Sequence, residues 1–240
     1  MRDRAGARAG PFQLFQQFPE LRIGIFGKSL ERKGDTECAK ELGFKDVAFA
    51  NQVHGNVTHV IECRGKVYFS PTSLEGDGLI TKTPDLALSI RWADCQAFVT
   101  YAPLRQSSGQ APKKVIGVLH AGWRGMAHKA ITAHFQCLEE HFGVKPSEAF
   151  VGIAPSLCKT CTEFSDPFHE LPPHLHPFIE GRFVDLQAAA DAELDFLGVP
   201  REQRERHPEC TRCGEGCWSW RRDKNPNARN YLVVGMHNTV

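Results

Sequence analysis

The stretch Val115-Ile116-Gly117-Val118-Leu119-His120-Ala121-Gly122-Trp123-Arg124-Gly125 changes character at its histidine. Before it lies a short, continuous apolar run of the kind that forms a buried strand; after it, small residues make a turn. Beyond Gly125 the apolar positions Ile131, Phe135, Leu138 and Phe142 recur at helical intervals until Gly143 and Pro146 stop them. The spacing predicts a strand, a turn carrying His120, and one helix after Gly125.

Leu86-Ala87-Leu88-Ser89-Ile90 and Ala97-Phe98-Val99-Thr100-Tyr101 also have the length and bounding turns of buried strands, with Cys95 between them. The polar stretch from Arg105 to Lys114 reads as a hairpin loop, not a domain linker. A strand is expected at Ala149-Phe150-Val151-Gly152-Ile153. A helix should follow with Asp185 as N-cap, Leu186, Ala190, Leu194 and Leu197 on one face, and Gly198 past its end. The last expected strand is near Tyr231-Leu232-Val233-Val234. Strands outnumber helices without strict alternation, which favours an α+β or mixed layered α/β arrangement over a doubly wound sheet.

The 240 residues suffice for a substantial core, and residues 12–240 read as one domain behind a floppy, basic tail at residues 1–11. With 41% hydrophobic and 24% charged residues the chain has the composition of a soluble globular protein. A formal net charge of +1 argues against a global attraction for nucleic acid or anionic membranes, leaving only local basic patches open. No stretch reads as a secretory signal or a membrane span. A cytoplasmic location is expected, where nine cysteines would stay reduced and available to a metal or to catalysis.

His54, Cys95 and His120 share a setting. In Gln52-Val53-His54-Gly55, Ala93-Asp94-Cys95 and His120-Ala121-Gly122, a ligand-type side chain sits where an apolar run gives way to a turn. Alone, each has an ordinary explanation as a turn histidine or a cysteine packed as a small hydrophobe. Together, two imidazoles and a thiolate suit a borderline-soft ion and leave a fourth tetrahedral position open. Cys158-x2-Cys161 and Cys210-x2-Cys213, with Cys217 nearby, have the spacing of a second, structural zinc site, or else are reduced packing cysteines. Cys38, Cys63, Cys137, His169, His174 and His176 read as structural.

These motifs, with Gly76-Asp77-Gly78-Leu79-Ile80-Thr81 and Ser219-Trp220-Arg221-Arg222-Asp223, resemble the bacterial laccase-domain family, also called the multicopper polyphenol oxidase family, from about Asn51 to the C-terminus. The resemblance implies a four-layer α/β/β/α sandwich of the cysteine hydrolase-like kind. It implies zinc on His54, Cys95 and His120, and adenosine phosphorolysis, adenosine deamination and methylthioadenosine cleavage without redox chemistry. The chain departs from the family at Ile23-Gly24-Ile25-Phe26-Gly27-Lys28-Ser29, where members usually carry a Thr-Thr-Arg segment, and only loosely follows it at Pro155–Glu163.

A zinc ion on these ligands would lower the pKa of a bound water toward neutrality for attack on C6 of adenine. Asp77, ahead of Asp94, is the expected proton shuttle, against the ordinary alternative of a turn aspartate bonding its own backbone. Phosphorolysis needs an anion site, for which Arg124 and the helix N–H groups after Gly125 are candidates. Arg221 and Arg222 are further candidates, unless Asp223 takes them in a salt bridge. Trp123 is either a purine stacking platform or core filling. The expected partners are a nucleoside and phosphate, with neither nucleic acid nor membrane. Two other functions stay open: an amidase acting on a peptidoglycan precursor with Cys95 as nucleophile and His120 as base, and a non-catalytic module stapled by zinc. Copper oxidation is disfavoured because multicopper sites need more histidines in paired motifs.

Overall fold

The structure is a computed structural model that describes residues 10–28, 34–62, 74–104 and 113–237. Most of the predicted tail, Cys63 and the loop at 105–112 lie outside the described residues. The strands are β1 (Leu21–Phe26), β2 (Asp46–Ala48), β3 (Thr58–Val60), β4 (Gly78–Thr81), β5 (Leu86–Trp92), β6 (Gln96–Leu104), β7 (Lys113–Ala121), β8 (Phe150–Ile153), β9 (Ile179–Glu180), β10 (Phe183–Val184), β11 (Arg204–Arg206) and β12 (Asn230–Met236). The helices are α1 (Asp35–Glu41), α2 (Trp123–Ala127), α3 (Ala130–Phe142), α4 (Pro167–Glu170), α5 (Leu186–Leu197) and α6 (Trp220–Asp223). Strand order is β1-β12-β5-β2 in one sheet and β11-β8-β6-β7-β4-β3 in the other, with β9 and β10 a small hairpin.

Period-two alternation sorts the side chains into three cores. Val115 and Leu119 of β7 face Met126, Ile131, Phe135 and Leu194 of the helices, whereas Ile116 and Val118 of the same strand meet Leu88, Ile90, Leu232 and Val234 of the other sheet. Ala87 and Val233, on the far face of that sheet, pack with Cys38 and Ala39 of α1. The cores thus fall between α1 and the four-stranded sheet, between the two sheets, and between the six-stranded sheet and α2, α3 and α5, in the order expected of a four-layer α/β/β/α arrangement.

The helix at Leu186–Leu197 forms as expected: the Asp185 carboxylate accepts the Ala188 N–H at 2.9 Å and Gly198 closes it in the left-handed region. The helix expected after Gly125 differs. It is broken into α2 and α3 at Lys129, whose φ is 57°. Consecutive strands β5 and β6 lie in different sheets, so Ala93–Cys95 is the crossing between them. No helix among the described residues is long and apolar enough to cross a membrane.

Candidate metal centre

Strand directions gather the motifs at one end of the six-stranded sheet. β4 and β6 run antiparallel to β7, so Asp77 and Cys95, just before the two starts, lie beside His120 near the end of β7. β3 is parallel to β4, so the His54 loop opens at the same end. β8 is antiparallel to β6 and β11 parallel to β8, which brings the chain after Ile153 and after Arg206 there too.

His54, Cys95 and His120 each present a ligand atom within 4.8 Å of the others, and the two imidazole rings meet edge to face. Asp77 positions both histidines. Its carboxylate accepts the N–H groups of Val53, His54 and Gly55 at 3.2, 3.0 and 2.7 Å, holding His54 at a left-handed φ of 61°. It also accepts His120 Nδ1–H at 2.7 Å, which leaves Nε2 as the nitrogen that a metal ion would take in exchange for a proton. Burial opposes ionisation of Asp77, but the His120 bond and the backbone N–H groups outweigh it and hold the carboxyl below its usual range. Asp77 is 1% exposed and does not line the cleft, so its geometry is that of an orienting group, not of the proton shuttle expected from sequence.

The other motif residues tie the three turns together. The Gln52 side chain brackets Arg91, donating to its carbonyl at 2.7 Å and accepting its N–H at 2.8 Å, which locks the His54 turn to the end of β5. Asp94 accepts from Thr211 Oγ1 at 2.8 Å and from the Arg221 N–H at 2.7 Å, joining the Cys95 turn to the late cysteine loop. Gly122 is required by close approach: a Cβ there would lie 2.7 Å from Cys95 Sγ and 3.3 Å from His54 Cδ2. The ligand atoms therefore face a cradle that a methyl group would fill, and this donor set fits zinc.

Burial opposes the Cys95 thiolate, but the His120 and His54 rings more than compensate and bring the thiol down to about 6. Burial likewise works against a charged His120, yet the Cys95 thiolate and the Asp77 bond bring it up to about 9. Thiolate character at neutral pH is what a metal ligand and a nucleophile both require.

The three ligands line a cavity of about 750 Å³. Five cationic side chains line it, Arg91, Arg124, Arg221, Lys224 and Arg229, against one carboxylate, Asp94, whose oxygens are already engaged. The cleft therefore favours an anion. Trp123 and Phe164, edge to face at 5.9 Å, form an aromatic wall, and Trp220 is a further aromatic lining residue. Arg91, Lys224 and Arg229 belong to no motif that marks them in the sequence; an arginine inside the apolar run of β5 is the one available signal.

Two expected anion ligands are corrected. Arg222 does not line the cleft: its guanidinium bonds Asp223 at 2.8 and 2.9 Å and donates to the carbonyls of Thr211, Arg212, Gly214 and Cys217. The helix opening at Trp123 is only five residues long, too short to gather a useful dipole, so Arg124 stands without it. In the departing N-terminal segment, Lys28 pairs with Asp223 at 3.4 Å and lies over Trp218, outside the cleft lining.

The structure also gathers Cys158, Cys161, Cys210 and Cys213 into a second group able to hold a metal ion. Cys217, by contrast, is buried, which pushes its thiol up to about 12.

Residues 32–237 match the family model described as multi-copper polyphenol oxidoreductase laccase. The chain belongs to that family. It is 31% identical over 202 residues to purine nucleoside phosphorylase YlmD of Geobacillus stearothermophilus, covering 77% of this chain and 70% of the relative. It is 27% identical over 191 residues to adenosine deaminase RL5 of an unknown prokaryotic organism, covering 73% and 70%. Its fold superposes on the crystal structure of the same Geobacillus YlmD with a TM-score of 0.73 at 23% identity, over 99% of this chain and 98% of that one. It also matches Bacillus licheniformis YfiH with a TM-score of 0.70 at 25% identity, over 84% and 79%.

Proposed function

We propose that the chain is a zinc-dependent purine nucleoside enzyme that phosphorolyses adenosine to adenine and ribose 1-phosphate, with adenosine deamination and methylthioadenosine phosphorolysis as related reactions at the same site. The observation that carries this reading is the convergence of His54, Cys95 and His120 in the lining of a cationic, aromatic-walled cleft. The names of its relatives, a purine nucleoside phosphorylase and an adenosine deaminase, support the same substrate class.

His54, Cys95 and His120 would hold the ion, which when bound supplies Lewis acidity to activate an oxygen nucleophile near neutral pH. Asp77 fixes His120 and the His54 turn, which limits how far their donor atoms can wander from the site. Arg124 and Arg221 take the phosphate, and the Trp123–Phe164 wall takes a purine face. In phosphorolysis a phosphate oxygen bonds C1′ as the bond to the purine nitrogen breaks, and the base leaves carrying a proton. In deamination water replaces the amino group at C6 and ammonia leaves.

The test combines metal content with adenosine turnover, with and without phosphate. Zinc lost in Cys95→Ala, together with adenine formed only when phosphate is present, supports phosphorolysis; inosine formed without phosphate moves the main reaction to deamination. Copper in place of zinc, or no nucleoside turnover, overturns the reading.

A second reading rests on the lowered thiol of Cys95, the raised imidazole of His120 and Asp77 behind it, the order of groups in a cysteine amidase acting on a peptidoglycan precursor. A thiol-reactive amide analogue that labels Cys95 in the metal-loaded protein would favour it. A non-catalytic zinc staple would need a fourth protein ligand, and the cluster among the described residues has three.

A further inference from the structure

We propose that Cys158, Cys161, Cys210 and Cys213 bind a second zinc ion as a tetrathiolate knuckle that fixes the part of the cleft wall formed by Leu157 and Arg221. The fold creates the juxtaposition. β8 and β11 pair in parallel, Val151 with Arg204 and Ile153 with Arg206, and the pairing continues as a bridge between Ser156 and Cys210, so both Cys-x2-Cys turns leave the sheet side by side.

The sulfurs have the spacing of ligands, not of a disulfide. All four lie within 4.8 Å of one another, with Cys161 to Cys213 at 3.4 Å and Cys158 to Cys213 at 4.0 Å. A tetrahedron with zinc–sulfur bonds of about 2.3 Å has sulfur–sulfur edges of about 3.8 Å, whereas a disulfide needs about 2.05 Å. The surrounding bonds are those that support thiolates. The Cys158 N–H donates to Cys210 Sγ at 3.3 Å, and Thr160 Oγ1 lies 3.3 Å from Cys158 Sγ. Each pair is set in a tight turn, with the Cys161 N–H on the Cys158 carbonyl and the Gly214 N–H on the Cys210 carbonyl.

The knuckle is connected to the cleft through Asp94. That one residue takes Leu157 N–H on its carbonyl, and Thr211 and the Arg221 N–H on its carboxylate. Holding the two cysteine turns together therefore holds Leu157 and Arg221 against the Cys95 turn.

The experiment measures zinc per chain in the full-length wild type, Cys95→Ala and Cys213→Ser by elemental mass spectrometry. About two ions are expected in wild type and about one in each variant. One ion in wild type that Cys95→Ala removes and Cys213→Ser keeps would overturn the knuckle, as would iron in place of zinc. Should Cys213→Ser fail to fold, alkylation mapping of the wild type decides. Protection of all four thiols until a strong chelator is added supports the site; rapid labelling of Cys213 in the metal-loaded protein, or a Cys161–Cys213 disulfide, overturns it. Hydrogen exchange reads the wall: on metal release from the knuckle, protection is expected to be lost at Leu157, Thr211 and Arg221 and kept in β7. None of these outcomes depends on nucleoside turnover, so failure of the knuckle and failure of the enzyme reading are separable.

Discussion

The two groups of metal-type side chains at the end of the six-stranded sheet are built on opposite plans. The first takes two ligands from turns and one from the end of β7, beside a cavity of about 750 Å³. The second takes four sulfurs from two short turns, with the Cys158 N–H donating to the Cys210 sulfur. Three donors beside a cavity leave room for a substrate, whereas four donors complete a tetrahedron by themselves. The difference lies in the ligand count and in what orients the ligands: a buried carboxylate spanning two turns in one case, local turn geometry in the other.

The largest effect that would break this contrast concerns Cys95. Cys95→Ala is expected to lower kcat/KM for adenosine by at least about a thousand-fold, roughly 4 kcal/mol of barrier, while the urea midpoint, compared between metal-free proteins, barely moves. A variant that unfolds early, as a structural site would, sinks the distinction between open and closed plans. Asp77→Asn comes next, because one carboxylate serves both histidines. Metal affinity at the open site should fall about 10- to 100-fold, read by competition with a chelating dye, with the zinc of the cysteine group unaffected. Equal loss from both groups would mean that Asp77 supports the scaffold instead of the site.

Arg124→Gln sharpens the contrast from the side of the substrate. Its charge lines the cleft and stands apart from the cysteine loop, so the KM for phosphate should rise roughly ten-fold, about 1.4 kcal/mol, with both metals retained. An unchanged KM in steady-state kinetics removes Arg124 from the anion site and leaves Arg221, Arg91 and Arg229 to fill it.

What was legible in the sequence was local. The helix from Leu186 carries its cap and its left-handed glycine within the chain segment itself, and both are where the pattern predicts. His54, Cys95 and His120 announced themselves by residue type and turn setting. Their convergence depends on the directions of β3, β4, β6 and β7, which no local pattern encodes. The same holds for the cysteine pairs, whose meeting depends on the parallel pairing of β8 and β11. Arg222 shows the boundary from the other side. Its neighbour Asp223 was visible in sequence, but the four carbonyls it gathers were not. The break at Lys129 likewise coincides with a tertiary contact: the His128 carbonyl, left free there by the helix, accepts from Asn56 Nδ2 at 2.9 Å, beside the His54 turn.

The last expected effect separates acid damage to the scaffold from acid release of metal. His134 is fully buried on α3 between Thr58 Oγ1, 3.3 Å from Nδ1, and Thr100 Oγ1, 3.1 Å from Nε2, with no carboxylate among the described residues bonded to it. Burial pushes its pKa down to about 3, whereas an unfolded histidine titrates near 6.5. Below pH about 6.5 the unfolded chain therefore takes up a proton that the folded chain refuses. Stability from this group is complete above that pH and drains away as pH falls toward 3, by up to about 1.4 kcal/mol per pH unit. In metal-free protein, His134→Gln should be less stable at pH 7 because the ring no longer bridges the two threonines. It should also lose less stability than wild type on moving from pH 6.5 to 4.5, by urea melts at each pH. Parallel curves for the two proteins would mean that acid acts on the shared scaffold through other groups, and the pH dependence of activity would then have to be read from the open site alone.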